Sequence, residues 1–176
     1  MLNIKKYFVL LTALFVVLTA AVAAETAEAK KFPVFTTMNL DGDVVTSDIF
    51  AENEVTMINF WATWCPPCIA EMPDLAELGK ALDDTGGESG LIGILLDVDD
   101  RGAIMKAEKI LGDAKARFTQ LRPSKEMQNI LNSINAIPTS IFVDSKGNIV
   151  GPTVVGARGA SDYMKAMQLA LAEARK

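Results

Sequence analysis

The sequence contains little of two residue types that matter for chemistry: among its 176 residues there are only two cysteines and no histidine. Protein zinc sites normally take three or four ligands, most often cysteine or histidine, so this composition argues against one. Basic residues are also in the minority, with 17 Lys and Arg against 22 Asp and Glu, a formal net charge of -5. Because nucleic-acid binding depends on neutralising phosphates, this charge argues against it, and the scattered acidic residues predict a solvated surface.

The first 24 residues have the pattern of an export signal. Lys5 and Lys6 precede an apolar run over residues 7–20, and the small residues at 21–24 are typical of a cleavage region. Without cleavage, the stretch from 7 to 24 is just long enough for a membrane anchor, with the two lysines on the cytoplasmic side. A signal peptide and an N-terminal anchor both place the remaining chain outside the cytoplasm. The segment has no cysteine, which excludes lipid attachment to a thiol there.

The remaining sequence predicts one α/β domain, with residues 25–31 as a polar linker and residues 32–176 as the folded part. Apolar and β-branched runs predict strands at 35–40, 44–46, 55–61, 91–98, 117–121, 140–143 and 149–155. Helical patterns predict helices at 65–83, 103–111 and 125–133, and a last helix with Ser161 as its N-cap. This order predicts a mixed central sheet covered by helices on both faces, with an N-terminal β-hairpin.

Both cysteines lie in the segment Trp64-Cys65-Pro66-Pro67-Cys68, between a predicted strand and the helix that follows it. Cys65 is therefore placed at a helix N-terminus, where amide N–H groups and the helix dipole favour a thiolate. A two-residue spacer closes too small a loop to restrict the unfolded chain much, so a purely structural disulfide is the weaker interpretation. The pair predicts thiol-disulfide exchange, with an exposed Cys65 as nucleophile and a shielded Cys68 as resolving cysteine.

Two stretches carry a family resemblance. The segment from Asn59 to Pro73, with its Trp-Cys-Pro-Pro-Cys centre, resembles the active-site stretch of the TlpA/ResA-like disulfide reductases of the thioredoxin superfamily. Ile137-Pro138-Thr139 and the two apolar strands after it resemble the cis-proline loop and terminal hairpin of that superfamily. The resemblance covers essentially all of residues 32–176. It implies a thioredoxin fold with a helix-strand insertion before the cis-proline loop.

The residues between the cysteines bear on the direction of the reaction. Pro66 and Pro67 remove two backbone N–H donors beside the sulfurs, and no histidine adds a positive charge. Weak stabilisation of the thiolate disfavours the dithiol form, which predicts a reductant and argues against an oxidase or isomerase. The alternative interpretation is that the two prolines only stiffen the first helical turn.

Glu71 is the candidate proton carrier of the site. It lies one helical turn beyond Cys68, where its carboxylate is placed to accept a proton from the resolving cysteine or to oppose its thiolate. The family has a glutamate at this position; the alternative is an exposed helix residue. Asn59 stands where cytoplasmic thioredoxins have a buried aspartate, so a relay through a carboxylate at position 59 is not available.

The remaining candidate residues are predicted to contact substrate. By the resemblance, Pro138 is in cis and packs against the disulfide, while Ile137 offers its backbone to substrate. Trp64 is predicted to be an exposed docking residue, with Trp61 in the core. The predicted catalytic residues are Cys65, Cys68 and Glu71, and the predicted substrate-binding residues are Trp64, Pro66, Pro67, Ile137 and Pro138.

These residues predict an exported thiol-disulfide oxidoreductase that reduces protein disulfides with no cofactor beyond its redox-active cysteine pair. The resemblance implies apocytochrome c as one substrate class, hence a role in cytochrome c biogenesis, and a transmembrane thiol carrier as electron donor. A disulfide oxidase or isomerase is the first alternative. A non-catalytic thioredoxin-fold binding or metal-delivery protein is the second, although such a protein needs a third metal ligand and histidine, the usual one, is absent.

Overall fold

The structure, a computed structural model, describes residues 30–98 and 101–176. The predicted signal or anchor at 1–24 and most of the predicted linker lie outside the described residues. In the part of the chain that is described, no helix has the length and apolar character needed to cross a membrane.

The domain is built on a five-stranded mixed sheet with a separate two-stranded hairpin. The strands are β1 Thr36–Met38, β2 Val44–Thr46, β3 Val55–Trp61, β4 Ser89–Leu95, β5 Gln120–Leu121, β6 Thr139–Asp144 and β7 Ile149–Val155. In the main sheet the order is β5-β4-β3-β6-β7; β4 pairs in parallel with β3 and β5, whereas β6 pairs antiparallel with β3 and β7. Every residue of β3 is buried, as its continuous apolar run predicts for a central strand.

In the described residues, four α-helices and two short 3₁₀ helices surround the sheet. The α-helices are α1 Pro66–Asp83, α2 Arg101–Ala114, α3 Gln128–Leu131 and α4 Ala160–Ala174, and the 3₁₀ helices are Ser47–Glu52 and Lys125–Met127. The predicted helix-strand insertion before the cis-proline loop is present as α2 and β5. The helix predicted over 125–133 is only a 3₁₀ turn followed by one turn of α-helix.

The predicted N-cap of the last helix is wrong. Gly159, in extended conformation, is the N-cap of α4, and Ser161 lies inside the first turn. The Asp74 carboxylate on α1 accepts a hydrogen bond from the Ala160 N–H at 3.3 Å. A side chain from a neighbouring helix thus satisfies one of the free amides at the start of α4, which local sequence does not reveal.

Alternation along the strands separates two apolar clusters. Val55, Met57 and Trp61 of β3 face α1, α2 and α4, whereas Ile58 and Phe60 face the opposite side of the sheet. That second side is covered by the 3₁₀ and short helices and by three mutually perpendicular aromatic rings, those of Phe32, Phe35 and Phe50. Both faces are covered, as predicted, but the long helices all lie on one of them.

Paired backbone begins slightly earlier than the predicted domain boundary. Lys31 forms a bridge with Asn148, and the Ile149 N–H donates to the Lys30 carbonyl at 2.7 Å. Lys30 and Lys31, predicted as linker, therefore join the turn between β6 and β7.

Candidate active site

The two cysteines form a disulfide at the start of α1. Cys65 is the N-cap, its sulfur is bonded to that of Cys68 at 2.04 Å, and the Cys68 N–H donates to the Cys65 sulfur at 3.2 Å. Pro66 and Pro67 occupy the first two helical positions, where neither has an N–H to donate. The Cys68 amide is therefore the first backbone donor of the helix that can stabilise charge on the Cys65 sulfur.

The burial of the cysteines differs from the prediction. Cys68 is fully buried, but Cys65, predicted to be exposed, is only 3% accessible in this disulfide-bonded state. The cause is tertiary: the Ile137 carbonyl oxygen lies 3.7 Å from the Cys65 sulfur, so the loop before β6 covers the pair. The Ile137–Pro138 peptide bond is cis, as predicted from the resemblance. Trp64 is 65% exposed beside the pair, as predicted.

The turn that carries the cysteines is held by a carboxylate that the sequence did not single out. Asp97, just after β4, accepts from the Thr63 N–H at 2.9 Å and from its hydroxyl at 2.6 Å. In the sequence Asp97 is one of several scattered acidic residues. Only the pairing of β3 with β4, whose carboxyl ends meet at this edge of the sheet, brings it to the turn.

Trp61 is in the core, as predicted, and its indole N–H has a hydrogen-bond partner there. Its indole N–H donates to the Gln120 side-chain oxygen on β5 at 2.8 Å. Gln120 crosses over Gly93 to reach it, and a Cβ at position 93 would lie 2.1 Å from the Gln120 oxygen. Glycine on β4 therefore makes room for the hydrogen bond that fixes Trp61 at the base of the active-site turn.

Glu71 is buried, with 3% of its surface accessible. The alternative interpretation, an exposed helix residue, is therefore wrong. Its Oε1 accepts from the Asn59 side-chain amide at 3.0 Å. Its Oε2 accepts from the Tyr163 hydroxyl at 2.7 Å and from the Arg158 backbone N–H at 3.2 Å. Three donors from three other parts of the fold therefore hold this one carboxyl group.

The strand register explains how these side chains meet. Asn59 on β3 and Ser140 on β6 are directly paired, and both point to the face covered by α1 and α4. The Asn59 amide donates to the Ser140 hydroxyl at 3.1 Å, and the Ser140 side chain lies close enough to the Tyr163 hydroxyl to lower its pKa. We refer to Asn59, Glu71, Ser140 and Tyr163 as the Glu71 cluster.

Burial dominates the ionisation of the Glu71 cluster. Desolvation raises the pKa of Glu71 above its usual value, against the opposing effect of hydrogen bonds from Tyr163, Asn59 and Arg158. The pKa of Tyr163 is also raised, first by burial and then by its hydrogen bond to Glu71. A carboxyl group with a raised pKa is suited to exchanging protons nearer neutral pH.

Tyr163, Ser140 and Asp97 are the site residues that sequence reasoning missed. Tyr163 lies in an amphipathic helix almost a hundred residues from Glu71, and Ser140 reads as an ordinary strand residue. The sequence pattern offered one indication of such residues: a polar residue on the inward face of a strand or helix needs a hydrogen-bond partner. In the described ranges, 30–98 and 101–176, no group of three or more His, Cys, Asp or Glu side chains is arranged to hold a metal ion.

Comparison with known proteins supports the same interpretation. Residues 27–167 match the Redoxin family. The chain is 30% identical over 122 residues to the thiol-disulfide oxidoreductase ResA of Bacillus cereus, covering 69% of this chain and 66% of that protein. A thiol:disulfide interchange protein of the thioredoxin family from Chlorobium tepidum TLS has a TM-score of 0.68 at 25% identity, covering 82% of this chain and 98% of that one. StoA from Bacillus subtilis has a TM-score of 0.60 at 25% identity, covering 76% and 96%.

These matches confirm the thioredoxin fold and the resemblance to TlpA/ResA-like proteins. The chain spans about half to two thirds of the length of the curated relatives it matches, with values of 48% and 66% for two ResA proteins.

Proposed function

This chain belongs to the Redoxin family, and we propose that it is an extracytoplasmic thiol-disulfide oxidoreductase that reduces protein disulfides. The observation that carries the proposal is the Cys65–Cys68 disulfide at the N-terminus of α1, beside the cis-Pro138 loop. The names of similar proteins, a thiol-disulfide oxidoreductase and a thiol:disulfide interchange protein, support the same reaction class.

In the proposed reaction, Cys65 and Cys68 start as the dithiol. The Cys65 thiolate attacks one sulfur of the substrate disulfide, and the other substrate sulfur leaves with the electron pair as a thiolate. Cys68 then loses its proton to Glu71 and attacks Cys65, which breaks the bond between Cys65 and the substrate sulfur. Cys65 releases its proton to solvent when it forms the thiolate, and the two substrate thiolates take up one proton from Glu71 and one from solvent. The substrate thus gains two electrons and two protons, and the enzyme ends with the disulfide seen in the structure.

The surface around the pair supports a protein substrate. Trp64 exposes most of its indole beside Cys65, and large aromatic side chains of this kind are common anchors in protein interfaces. The Ile137 carbonyl lies next to the sulfur that would carry the mixed disulfide. We assign substrate contact to Trp64, Pro66, Pro67, Ile137 and Pro138.

We further propose apocytochrome c cysteines as one substrate class and a transmembrane thiol carrier as the electron donor, on the family resemblance. The extracytoplasmic location rests on the pattern of residues 1–24, read as a signal peptide or an anchor. A reporter that is active only after export, fused after Lys176, should be active. An inactive fusion at normal expression would reverse the proposed location and the substrates with it.

Trapping tests the roles of the two cysteines. Cys68→Ser in the full-length protein should accumulate mixed disulfides with its substrates, because the resolving thiol is gone, whereas Cys65→Ser should abolish both trapping and disulfide reduction. Trapping of the same partners by either variant would contradict the assignment of Cys65 as sole nucleophile. The trapped proteins identify the substrate directly.

The reduction potential tests direction. Because Pro66 and Pro67 remove two amide donors, we expect a value nearer about -270 mV than about -120 mV, measured by equilibration with glutathione and read by Trp fluorescence. A potential on the oxidising side of about -180 mV would favour the disulfide oxidase or isomerase alternative.

A further inference from the structure

The Glu71 cluster contains a tyrosine, Tyr163, to which the proposed reaction assigns no role. Tyr163 is 1% accessible and its hydroxyl lies 2.7 Å from Glu71 Oε2, the shortest of the three contacts to that carboxyl group. Phenylalanine would fill the same apolar space without the hydroxyl. A buried tyrosine hydroxyl needs a hydrogen-bond partner, so packing alone does not explain a tyrosine at this position.

The ionised form of Glu71 is well matched by its surroundings. Asn59, Tyr163 and the Arg158 backbone N–H together direct three donors at its two oxygens. Hydrogen bonds to a carboxylate are stronger than those between neutral groups, which offsets part of the cost of burying the charge. The cluster therefore accepts Glu71 as an anion.

The neutral form needs a different arrangement, because a protonated carboxyl group has an O–H to donate. Tyr163 can accept that hydrogen if its own hydroxyl turns toward Ser140, whose side chain is close enough to lower the pKa of Tyr163 and whose oxygen accepts from the Asn59 amide. A hydroxyl hydrogen reorients without movement of any heavy atom. Both protonation states of Glu71 can therefore keep a hydrogen bond to Tyr163.

We propose that Tyr163 is a positioning residue for Glu71, donating to the carboxylate when Glu71 is ionised and accepting from the carboxyl when it is protonated. The inference rests on the proposed function in one respect, that Glu71 exchanges a proton with Cys68 during the reaction. Tyr163 itself does not take the proton. Its hydroxyl lets the buried carboxyl group cycle between two hydrogen-bonded states in one position.

The other ionisable groups near Glu71 come from few elements. On α1 they are Asp74, whose charge raises the pKa of Glu71, and the two cysteines at the helix start. The strands β3 and β6 contribute only the uncharged Asn59 and Ser140. Arg158 presents its backbone N–H to Glu71, whereas its exposed guanidinium donates to the Ala157 and Val155 carbonyls.

The first test measures Glu71 directly in the full-length reduced protein. Carbon NMR of ¹³C-labelled glutamate gives the titration midpoint of each carboxyl group, and the Glu71 signal is the one missing in Glu71→Gln. Tyr163→Phe removes a charge-assisted hydrogen bond from the anion and a weaker, neutral one from the protonated form, so the midpoint should rise by about half to one pH unit, a three- to tenfold change in proton affinity. Thr56→Val, which removes another buried hydroxyl from β3 that lacks a described partner, is the matched control and should not shift it.

Ser140→Ala provides an independent test if Tyr163→Phe does not fold. It removes the acceptor that Tyr163 needs when Glu71 is protonated, so it should lower the Glu71 midpoint, the opposite direction from Tyr163→Phe. An unchanged midpoint in Tyr163→Phe, or a rise in Ser140→Ala, would overturn the inference. Neither readout depends on whether the protein acts as a reductant.

The second test asks whether Tyr163 acts through Glu71. The pH profile of thiol alkylation should shift in Tyr163→Phe, and the same substitution should leave the profile unchanged when Glu71 is already Gln. A shift of equal size in both backgrounds would mean that Tyr163 affects the thiols by another route and would contradict the positioning role. A protein that shows the expected coupling but fails to reduce disulfides would refute the proposed function alone.

Discussion

Two clusters connect the last helix to the rest of the domain, and they shift the pKa of a glutamate in opposite directions. In the Glu71 cluster, near the start of α4, Tyr163 donates to a carboxyl group whose pKa burial raises. In a second cluster, at the end of α4, Arg175 pairs with Glu54 and Glu88 in solvent, and its hydrogen bond lowers the pKa of Glu54. We call this second group the Arg175 cluster.

The difference shows that environment decides ionisation where the residue type is the same. Glu71 has three donors but contacts no cation among the described residues, and desolvation outweighs the effect of the donors. Glu54 has a guanidinium at 2.7 and 2.9 Å and remains hydrated. The buried carboxyl group is suited to gaining and losing a proton, whereas the exposed one stays charged and serves to hold α4.

The largest expected effect comes from a change that disturbs both clusters at once. Gly151 on β7 has φ +68°, and a Cβ there would lie 2.7 Å from the backbone of Ala170, between the two ends of α4. Gly151→Ala should lower the free energy of unfolding by about 1–3 kcal/mol through overpacking and roughly 1–2 kcal/mol more through the left-handed backbone. Denaturant unfolding measures this loss.

Gly112→Ala is the matched control, since a Cβ at this helical position meets nothing within 4 Å. It should be neutral or stabilising by about 0.5–1 kcal/mol. If Gly151→Ala were equally harmless, the close approach of α4 to β7 would not be what holds the two clusters in place.

The next largest effect is expected from a substitution that disturbs only the Glu71 cluster. Tyr163→Phe leaves a buried carboxyl group one donor short, which should cost about 1–3 kcal/mol of unfolding free energy, more at a pH where Glu71 is ionised. Thr56→Val should be close to neutral, because the Thr56 hydroxyl is buried with no described partner to lose. Equal losses in the two variants would show that burial of a hydroxyl, and not its contact with Glu71, sets the cost.

The two glutamates should also give opposite pH dependences of stability. The folded-state pKa of Glu71 is raised above 4.5, so its contribution is complete below about pH 4.5 and is lost as the pH rises through the raised value. The pKa of Glu54 is lowered from 4.5, so its contribution is present above that pH and is lost as the pH falls. Glu71→Gln and Glu54→Gln should remove slopes of opposite sign from the free energy of unfolding.

Unfolding curves measured from acid to neutral pH for the wild type and both variants check this. Slopes of the same sign would mean that one of the two environments has been assigned incorrectly.

The smallest effect is expected in the Arg175 cluster, because exposed ion pairs are weak and screened by salt. Arg175→Met should lower the melting temperature slightly at low ionic strength, and the difference from the wild type should disappear at high salt. Lys109→Met, which removes an exposed pair with Asp113 within α2, is the matched control. A loss that persists in high salt and exceeds that of the control would show that Arg175 acts through packing.

Much of the fold was predictable from local pattern. The mainly apolar run of β3 defined a central strand with the same bounds as in the structure, and the change from strand to helical pattern placed the cysteines at the start of α1. The helix over 125–133 was overestimated because a pattern does not distinguish a short 3₁₀ turn from a regular helix. The N-cap of α4 was missed because Asp74, from another helix, satisfies it.

The sequence by itself determined the reaction chemistry. Two cysteines separated by two prolines after a buried strand define the redox pair, and the absence of histidine leaves Glu71 as the proposed proton carrier in the motif. These features are local, because the strand, the helix start and the one-turn spacing to Glu71 all lie within one short segment.

Only the tertiary structure decided the environment of that chemistry. The Ile137 loop buries Cys65, Asp97 holds the turn before it, Tyr163 donates to Glu71, and Ser140 accepts from the Asn59 amide that also binds Glu71. Each of these contacts joins residues far apart in sequence, and each depends on strand register and on how helices pack over the sheet. Because burial and partners set ionisation, the pKa of a carboxyl group is a property of the folded domain and not of the segment that carries it.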